Sequence, residues 1–223
     1  MKKVAFLFDM DGVIIDSNPF HKIALKQFCK KYGHDLSEEQ LRERIYGRTN
    51  KDWITNIFGE QAPDQLKKYA DEKEQLFRDL YEKDIKPVDG LEKFLKKLDE
   101  YGIDRAIATS APIENVDFTL AKTGLRSYFD TILDESFVSK GKPDPEIYRK
   151  TAAALGYKTE DCIVIEDSLS GVKSGKAAGC RVLGISTTHS EEELSDTDKV
   201  VGDFTGLDPR SLIAELFAAK QRI

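Results

Sequence analysis

A short apolar run at residues 4–8 ends abruptly in Asp9-Met10-Asp11-Gly12, and this pattern limits the folds that the chain can adopt. Continuous apolar runs of this length are typical of strands buried on both faces of a parallel sheet. Similar runs recur at 105–108, 162–165 and 181–185, and segments with helical periodicity lie between them. Buried strands that alternate with helices predict an α/β fold with a doubly wound parallel sheet.

The segment between the first two runs breaks this alternation. It contains no convincing strand, and its amphipathic patterns lie at 21–32, 38–45, 51–57 and 65–81. We therefore predict a small α-helical domain inserted after the first strand. The predicted domains are a Rossmann-like catalytic core of residues 1–15 and 87–223 and a helical cap of residues 16–86. Four aromatic residues at helical spacing are predicted to form the cap interior: Trp53, Tyr69, Phe77 and Tyr81.

Polar residues cluster where the predicted strands end, and ligands of open α/β sheets collect beyond these carboxyl ends. The candidates are four carboxylates, two hydroxyls and one lysine that precedes a helical pattern: Asp9, Asp11, Thr109, Ser110, Lys142, Glu166 and Asp167. Taken singly, each has an ordinary structural explanation as a turn residue, a helix cap or a surface lysine. Their coincidence at the sheet ends favours a functional site.

The residue types in this cluster indicate phosphoryl transfer. Four neighbouring carboxylates repel one another unless a cation lies among them, and ligation by oxygen alone favours magnesium over zinc. A lysine and hydroxyls at turns that open helices supply donors for a bound phosphate. A carboxylate can also form the covalent intermediate, as aspartyl-phosphate enzymes do.

Four segments, in chain order, resemble the four motifs of the haloacid dehalogenase superfamily: Phe8-Asp-Met-Asp-Gly-Val13, Thr109, Lys142 with Pro143 and Pro145, and Glu166-Asp167. The resemblance covers essentially the whole chain. It implies that Asp9 is the nucleophile that attacks phosphorus. It also implies that Asp11 protonates the leaving group and later deprotonates water. Thr109, with Ser110 beside it, and Lys142 would hold the transferring phosphate.

The resemblance also implies a Mg²⁺ site. Its ligands would be Asp9, the backbone carbonyl of Asp11, and Asp167, with Glu166 assisting directly or through water. Asp11 further distinguishes reactions within the superfamily, because true dehalogenases generally lack this second aspartate. A departing halide needs no proton, whereas the alkoxide of a phosphate ester does. The carboxylate therefore favours phosphoryl transfer over dehalogenation.

The helical insertion resembles the cap of the β-phosphoglucomutase-like branch. His21 and Lys73 match cap residues of that mutase, although His21 is also consistent with a helix-surface histidine and Lys73 with a solvated lysine. Arg48 lies in a cap loop and is predicted to contact substrate, with pairing to a neighbouring acid as the alternative. Asn50 stands where the mutase has an arginine that grips a second phosphate. This departure favours a phosphatase.

The composition and net charge of the chain limit the kinds of partner that it is expected to bind. A net charge of -6 without a basic block argues against nucleic acid, and no apolar stretch is long enough to predict a membrane span or a signal peptide. Three widely spaced cysteines indicate reduced structural thiols rather than a disulfide framework. We therefore expect a cytoplasmic monomer that binds a small phosphorylated metabolite.

The function predicted from sequence is hydrolysis of a small phosphorylated metabolite, a sugar or polyol phosphate, through an aspartyl-phosphate intermediate and with Mg²⁺ as cofactor. The first alternative is β-phosphoglucomutase, which shares the covalent chemistry. A more distant alternative is a phosphorylatable receiver-type signalling module. A receiver would accumulate phosphoaspartate without multiple turnover, and its fold would not explain the helical insertion.

Overall fold

The computed structural model describes residues 3–45 and 49–218, and it divides the chain into two compact units. One unit comprises the residues up to Asp16 together with those from Lys86 onward, and the other runs from Ser17 to Ile85. Within these described ranges, no helix combines the length and the apolar character needed to cross a bilayer.

In chain order, the helices and strands are β1 (Ala5–Phe8), α1 (Asn18–Lys31), α2 (Glu38–Arg44), α3 (Asn50–Phe58), α4 (Pro63–Tyr81), α5 (Leu91–Glu100), β2 (Arg105–Ala108), α6 (Ile113–Thr123), β3 (Thr131–Leu133), α7 (Glu146–Ala154), β4 (Cys162–Glu166), α8 (Leu169–Ala178), β5 (Arg181–Ile185), β6 (Lys199–Val201) and α9 (Pro209–Ala218). Three-residue 3₁₀ helices lie at Arg126–Tyr128, Glu135–Phe137 and Thr159–Asp161.

The larger unit is built on a six-stranded parallel sheet in the order β3-β2-β1-β4-β5-β6. The predicted doubly wound α/β fold is therefore confirmed. The structure also contains β3, β6 and α9, which the sequence pattern does not predict. In this order the chain first builds outward from β1 on one side and then returns to build on the other. The order reverses between β1 and β4, which is the position where open α/β sheets bind ligands.

Strand β1 is apolar throughout because both of its faces are covered. Phe6 and Phe8 point to one face, where their rings lie 5.5 and 6.3 Å from the ring of Phe94 on α5. On the other face, Leu7 belongs to a core cluster that includes Tyr148 of α7. All of these side chains are almost completely buried. Burial of each large apolar side chain stabilises the sheet by roughly 1.5–3 kcal/mol.

The smaller unit consists of α1 to α4. Its interior is aromatic, with the Phe28 ring 5.7 Å from both Trp53 and Tyr69. Phe77 and Tyr81 of α4 are also buried, so the predicted aromatic interior of the insertion is correct. Local signals mark the helix starts as expected. Ser37 and Gln40 form a capping box at α2, and Pro63 opens α4.

All three cysteines are free and buried. Burial raises the pKa of the Cys29 thiol to about 11 and those of Cys162 and Cys180 to about 12. These thiols therefore stay protonated near neutral pH and act as small apolar side chains, in agreement with the structural role that their spacing predicts.

Candidate active site

Asp9 lies immediately after β1, at the point where the strand order reverses. Its backbone N–H donates to the carbonyl of Ile165 at 3.0 Å, which continues the β1–β4 ladder by one residue. Glu166 ends β4 and Asp167 follows it. The parallel register therefore carries the carboxylates of both strands to the same edge of the sheet.

The turn after Asp9 depends on a glycine. Gly12 has φ of +77°, donates its N–H to the carbonyl of Ile15 at 2.7 Å and accepts a 2.6 Å hydrogen bond from Thr187. A Cβ added at Gly12 would lie 1.9 Å from Oδ2 of Asp167. Only glycine combines this backbone conformation with such a close approach. Asp11, just before it, is partly exposed.

Lys142 links the acids of the two strands. Its Nζ atom donates to Oδ1 of Asp9 and to Oε1 of Glu166, at 2.6 Å each, and to the carbonyl of Ala108 at 3.3 Å. The side chain is only 7% exposed. An ammonium with three donors and three acceptors is fully paired, so its charge is held in one place.

Glu146 fixes the loop that carries Lys142. Its Oε2 atom accepts hydrogen bonds from the N–H and the hydroxyl of Ser139 and from the N–H of Lys140, at 2.8–3.1 Å. The hydrogen bond from Lys150, together with those from Ser139, lowers the pKa of Glu146 to about 2. The first residue of α7 thus anchors the segment that precedes it.

Glu166 is completely buried and accepts five hydrogen bonds. Oε1 accepts from Lys142 and from the hydroxyl of Tyr148, the latter at 2.7 Å. Oε2 accepts from the N–H groups of Asp167 and Ser168 and from the Ser168 hydroxyl, at 2.9–3.2 Å. The turn that opens α8 is therefore folded around this carboxylate.

The cluster contains more carboxylates than the single ammonium of Lys142 can neutralise. Burial, reinforced by the carboxylates of Glu166 and Asp11 and opposed by Lys142, raises the pKa of Asp9 to about 7. Burial, together with Glu166 and Asp9, raises the pKa of Asp167 well above its usual range. Burial alone would lower the pKa of Lys142, but Asp9 and Glu166 more than offset it and raise that pKa. One ammonium thus does not neutralise the acids around it.

This arrangement fits a divalent cation. Oxygen atoms of Asp9, Glu166 and Asp167 lie within 4.8 Å of one another, and all three residues are buried. A donor set made only of oxygen suits Mg²⁺ rather than zinc or copper. A cation among these acids would relieve the repulsion that raises their pKa values.

The two hydroxyl candidates after β2 differ in their surroundings. Thr109 is buried, and its N–H donates to the carbonyl of Leu133 at 3.0 Å, which extends the sheet past the strand end. Its hydroxyl accepts the N–H of Ala111 at 3.1 Å. Ser110 is exposed. Both lie at the same sheet edge as Asp9, because β2 pairs in parallel with β1.

The cap candidates lie in the helical unit. Lys73 is 5% exposed, which contradicts its interpretation as a solvated lysine. Its Nζ lies 2.9 Å from Nδ1 of His21 and donates to Glu74 at 2.9 Å. The His21 ring stacks on Phe77 with centroids 3.7 Å apart. The structure therefore brings His21 and Lys73 together, and Lys73 is buried because it has two polar partners.

Asn50 extends this polar cluster. Its Nδ2 donates to Oε1 of Glu74 at 3.2 Å, and its Oδ1 accepts the indole N–H of Trp53 at 2.9 Å. Both ends of the amide are thus occupied within the helical unit. Arg48 lies outside the described residues, so its predicted substrate contact stays a prediction.

Three residues that donate hydrogen bonds to Glu166 or Asp167 were not among the site residues predicted from the sequence. Tyr148 donates to Glu166, the Thr188 hydroxyl donates to Oδ2 of Asp167, and Ser168 donates to Glu166. The position of Ser168, directly after the acidic pair, was a usable signal for a helix cap. Tyr148 and Thr188 carry no such local signal, because tertiary packing alone brings them to the site.

Comparison with known proteins places these motifs in a family. The sequence model of the haloacid dehalogenase-like hydrolases matches residues 6–185. A phosphorylated carbohydrates phosphatase of Thermotoga maritima is 33% identical over 187 residues, which are 81% of this chain and 84% of that protein. Hexitol phosphatase A of Escherichia coli is 30% identical over 205 residues, covering 90% and 91%.

Solved structures agree with the sequence matches. A family IA, variant 3 hydrolase of Entamoeba histolytica superposes with a TM-score of 0.89 at 34% identity, covering 96% of this chain and 99% of that one. A β-phosphoglucomutase of Clostridium difficile superposes with a TM-score of 0.84 at 25% identity, covering the whole of both chains.

Proposed function

Because this chain belongs to the haloacid dehalogenase-like hydrolases, in their β-phosphoglucomutase-like branch, we propose that it is a magnesium-dependent phosphatase of small phosphorylated metabolites. The observation that carries this proposal is the position of Asp9. Its carboxylate lies at the reversal of the sheet, held at one oxygen by Lys142 and close to Glu166 and Asp167. The proposed nucleophile, the ammonium of Lys142 and the acidic pair lie together at this position.

In the first half of the reaction, Asp9 attacks the phosphorus of the bound ester. A bond forms between the carboxylate oxygen and phosphorus, and the bond from phosphorus to the ester oxygen breaks. Asp11 donates its proton to that departing oxygen, so that an alcohol leaves and an aspartyl phosphate remains. Lys142, Thr109 and Ser110 hold the transferring phosphoryl group.

In the second half, water attacks the aspartyl phosphate. Asp11, now ionised, takes a proton from this water, and the bond between phosphorus and the Asp9 oxygen breaks. Inorganic phosphate leaves, and both carboxyl groups return to their starting states. The partial exposure of Asp11 supports this role, because a group that shuttles protons needs access to water and leaving group.

Asp9, Asp167 and the backbone carbonyl of Asp11 would hold the Mg²⁺ ion. Glu166 already accepts five hydrogen bonds, so it would reach the ion through a water molecule. When bound, the ion neutralises the acidic cluster and the charge that develops on the phosphoryl oxygens.

The substrate class rests on the relatives, two of which are named for phosphorylated carbohydrates and hexitols. We propose a sugar or polyol phosphate. Residues 1–15 and 87–223 would carry the chemistry, and the cap of residues 16–86 would select the substrate through His21, Arg48 and Lys73. The net charge of -6 supports a protein without nucleic acid partners. A monomer that acts in the cytoplasm, with no membrane partner, completes the proposal.

A substrate panel tests the proposal. Phosphate release would be measured from hexose phosphates, hexitol phosphates, phosphoglycolate, nucleotides and pyrophosphate, with Mg²⁺ and with a chelator. We expect multiple turnovers on sugar or polyol phosphates, with loss of activity after chelation. Activity that is undiminished by the chelator would refute the metal requirement. Release of no more than one phosphate per protein molecule would refute the proposal that the protein is a phosphatase.

The second candidate is β-phosphoglucomutase, and the contact between Lys73 and His21 favours it, since both match cap residues of the mutase. A mutase must hold a bisphosphate intermediate in its site while that intermediate reorients. Asn50 argues against it, because a neutral amide that is bonded to Glu74 offers no charge to a second phosphate. The deciding measurement is whether the protein converts β-glucose 1-phosphate to glucose 6-phosphate faster than it releases phosphate.

A further inference from the structure

We propose that Tyr148 is a positioning residue for Lys142 that acts through Glu166; this inference rests on the proposed phosphatase function. The Tyr148 hydroxyl shares Oε1 of Glu166 with the ammonium of Lys142. It thereby sets how strongly Glu166 attracts the ammonium, and so how much of that ammonium is available to Asp9 and to the transferring phosphate.

Tyr148 lies on α7, which packs against the sheet, and its side chain is completely buried. Its hydroxyl donates to Oε1 of Glu166 at 2.7 Å, and its ring centroid lies 5.0 Å from Nζ of Lys142. Within the described residues, Glu166 is the only hydrogen-bond partner of this hydroxyl. Among the described residues, the hydrogen bonds that connect Tyr148 to Asp9 run through Glu166 and Lys142.

Packing alone does not explain a tyrosine at this position. A phenylalanine would fill the same core space, and a buried hydroxyl costs free energy unless it is hydrogen-bonded. Nor is the hydroxyl needed to anchor Glu166, because Oε2 already accepts three hydrogen bonds from Asp167 and Ser168. The specific consequence of the hydroxyl is on Oε1, the oxygen that Lys142 uses.

Charge distribution gives the direction of the effect. Lys142 lies 2.6 Å from both Asp9 and Glu166, so its charge is divided between two carboxylates. Lys142 and Tyr148 donate to the same oxygen and share its negative charge, so the Tyr148 hydroxyl weakens the attraction of Oε1 for the ammonium. Without the hydroxyl, Lys142 would move toward Glu166, away from Asp9 and the phosphoryl group. Phosphate binding and turnover should both fall.

The test is Tyr148→Phe, with Tyr157→Phe as the matched control. Tyr157 also donates its hydroxyl to a carboxylate, that of Asp104 at 2.6 Å, but it lies before β4, at the opposite edge of the sheet from Asp9. The readouts are kcat and KM, calorimetric affinity of the magnesium-loaded protein for inorganic phosphate, affinity for Mg²⁺, and melting temperature.

For Tyr148→Phe we expect kcat to fall roughly tenfold, since a hydrogen bond to a charged group is worth about this factor. Phosphate affinity should fall several-fold, and the Kd for Mg²⁺ should stay within about twofold of the wild-type value. Tyr157→Phe should leave kcat and phosphate affinity unchanged. The two variants would then differ in kinetics even where their melting temperatures fall equally.

Two results would overturn the inference. One is a Tyr148→Phe protein with normal kcat and phosphate affinity, whatever its melting temperature, since the hydroxyl would then be structural only. The other is a tenfold loss of Mg²⁺ affinity with normal phosphate binding, since Tyr148 would then act on the metal site. Phosphate calorimetry needs no turnover, so it tests Tyr148 even if the wild-type protein hydrolyses no ester and the proposed function fails.

Discussion

The ammonium of Lys142 lies 2.6 Å from Oδ1 of Asp9, while Oδ2 of Asp9 has no hydrogen-bond partner among residues 3–45 and 49–218. The two oxygens of one carboxylate are therefore distinguished by the protein. Oδ1 is held by a fixed positive charge, and in the proposed mechanism Oδ2 is the oxygen that attacks phosphorus. The proposed role of Lys142 is therefore twofold: it would orient the carboxylate of Asp9 and contact the phosphoryl group that Asp9 accepts.

Replacement of Asp9 by asparagine should abolish turnover. The amide nearly preserves the volume but is not a nucleophile, so we expect kcat to fall on the order of 10³-fold or more. Phosphate release would be measured alongside circular dichroism and melting temperature. A folded Asp9→Asn protein that retains even a tenth of the wild-type kcat would remove Asp9 from its proposed role.

Replacement of Asp11 by asparagine should separate proton transfer from metal binding. The backbone carbonyl remains, so the Kd for Mg²⁺ should change little, whereas kcat on alkyl phosphates should fall roughly 10²–10⁴-fold. With 4-nitrophenyl phosphate, the initial burst of 4-nitrophenol release should be much less affected, because this leaving group departs without a proton, whereas the later attack of water still needs Asp11. An equal loss in the rate of this first step on both substrates would contradict the assignment of Asp11 as general acid.

Magnesium binding should strengthen as pH rises. Burial beside other carboxylates raises the pKa of Asp9 to about 7 and that of Asp167 above its usual range. In the metal-free protein these acids hold protons below those values, and the ion must displace them. The increase in melting temperature on addition of Mg²⁺ should therefore be larger at pH 8 than at pH 5.5. A shift that is independent of pH would show that the ion binds elsewhere.

The same raised pKa has a consequence for folding. A carboxylate whose folded pKa exceeds its unfolded value contributes stability that is fully present below pH 4 and is lost as pH rises through the folded value. For Asp9 this window runs from about pH 4 to about 7. Mg²⁺ should reverse that loss, which is why the metal-free and metal-loaded proteins should be compared at both ends of the window.

The acidic cluster of the candidate site could be predicted from the sequence because its residues lie at the ends of strands. An apolar run followed by acids marks both β1 and β4, and a parallel register then brings Asp9 and Glu166 to one edge. Strands β3 and β6 were missed because each has only three residues, most of them partly exposed, so neither forms a buried apolar run. Short edge strands are defined by the neighbour they pair with rather than by their own pattern.

Residues that reach their partners only through tertiary packing could not be predicted from strand ends. Tyr148 looks like any apolar-face residue of α7, and only the packing of that helix on the sheet brings its hydroxyl to Glu166. Lys73 was likewise indistinguishable from a solvated lysine until His21 and Glu74 supplied its partners. Side chains whose roles depend on contacts distant in sequence carry no periodicity or spacing by which to recognise them.

Acid should selectively weaken the loop that carries Lys142. The hydrogen bonds of Glu146 with Lys150 and Ser139 lower its pKa to about 2, so its contribution to stability is present above pH 4.5 and is lost as pH falls toward 2. Glu146→Gln should melt at a lower temperature than wild type at pH 6, and the difference should vanish near pH 2. A difference that persists there would assign the effect of Glu146 to something other than its charge.

The close approach of Gly171 to Glu166 gives the sharpest test of the site's packing. A Cβ at Gly171 would lie 1.8 Å from Oε1 of Glu166, the oxygen that binds Lys142. Glycine to alanine within a helix ordinarily stabilises by about 1 kcal/mol, but here the clash should reverse the sign and cost roughly 1–3 kcal/mol. Because Glu166 must move, Lys142 should lose its alignment, and kcat should fall more than stability alone explains. Gly202→Ala, where the added methyl group meets no atom within 4 Å, is the control: it should leave kcat unchanged and should not lower the melting temperature. A Gly171→Ala protein more stable than wild type and fully active would show that Glu166 is free to move without consequence.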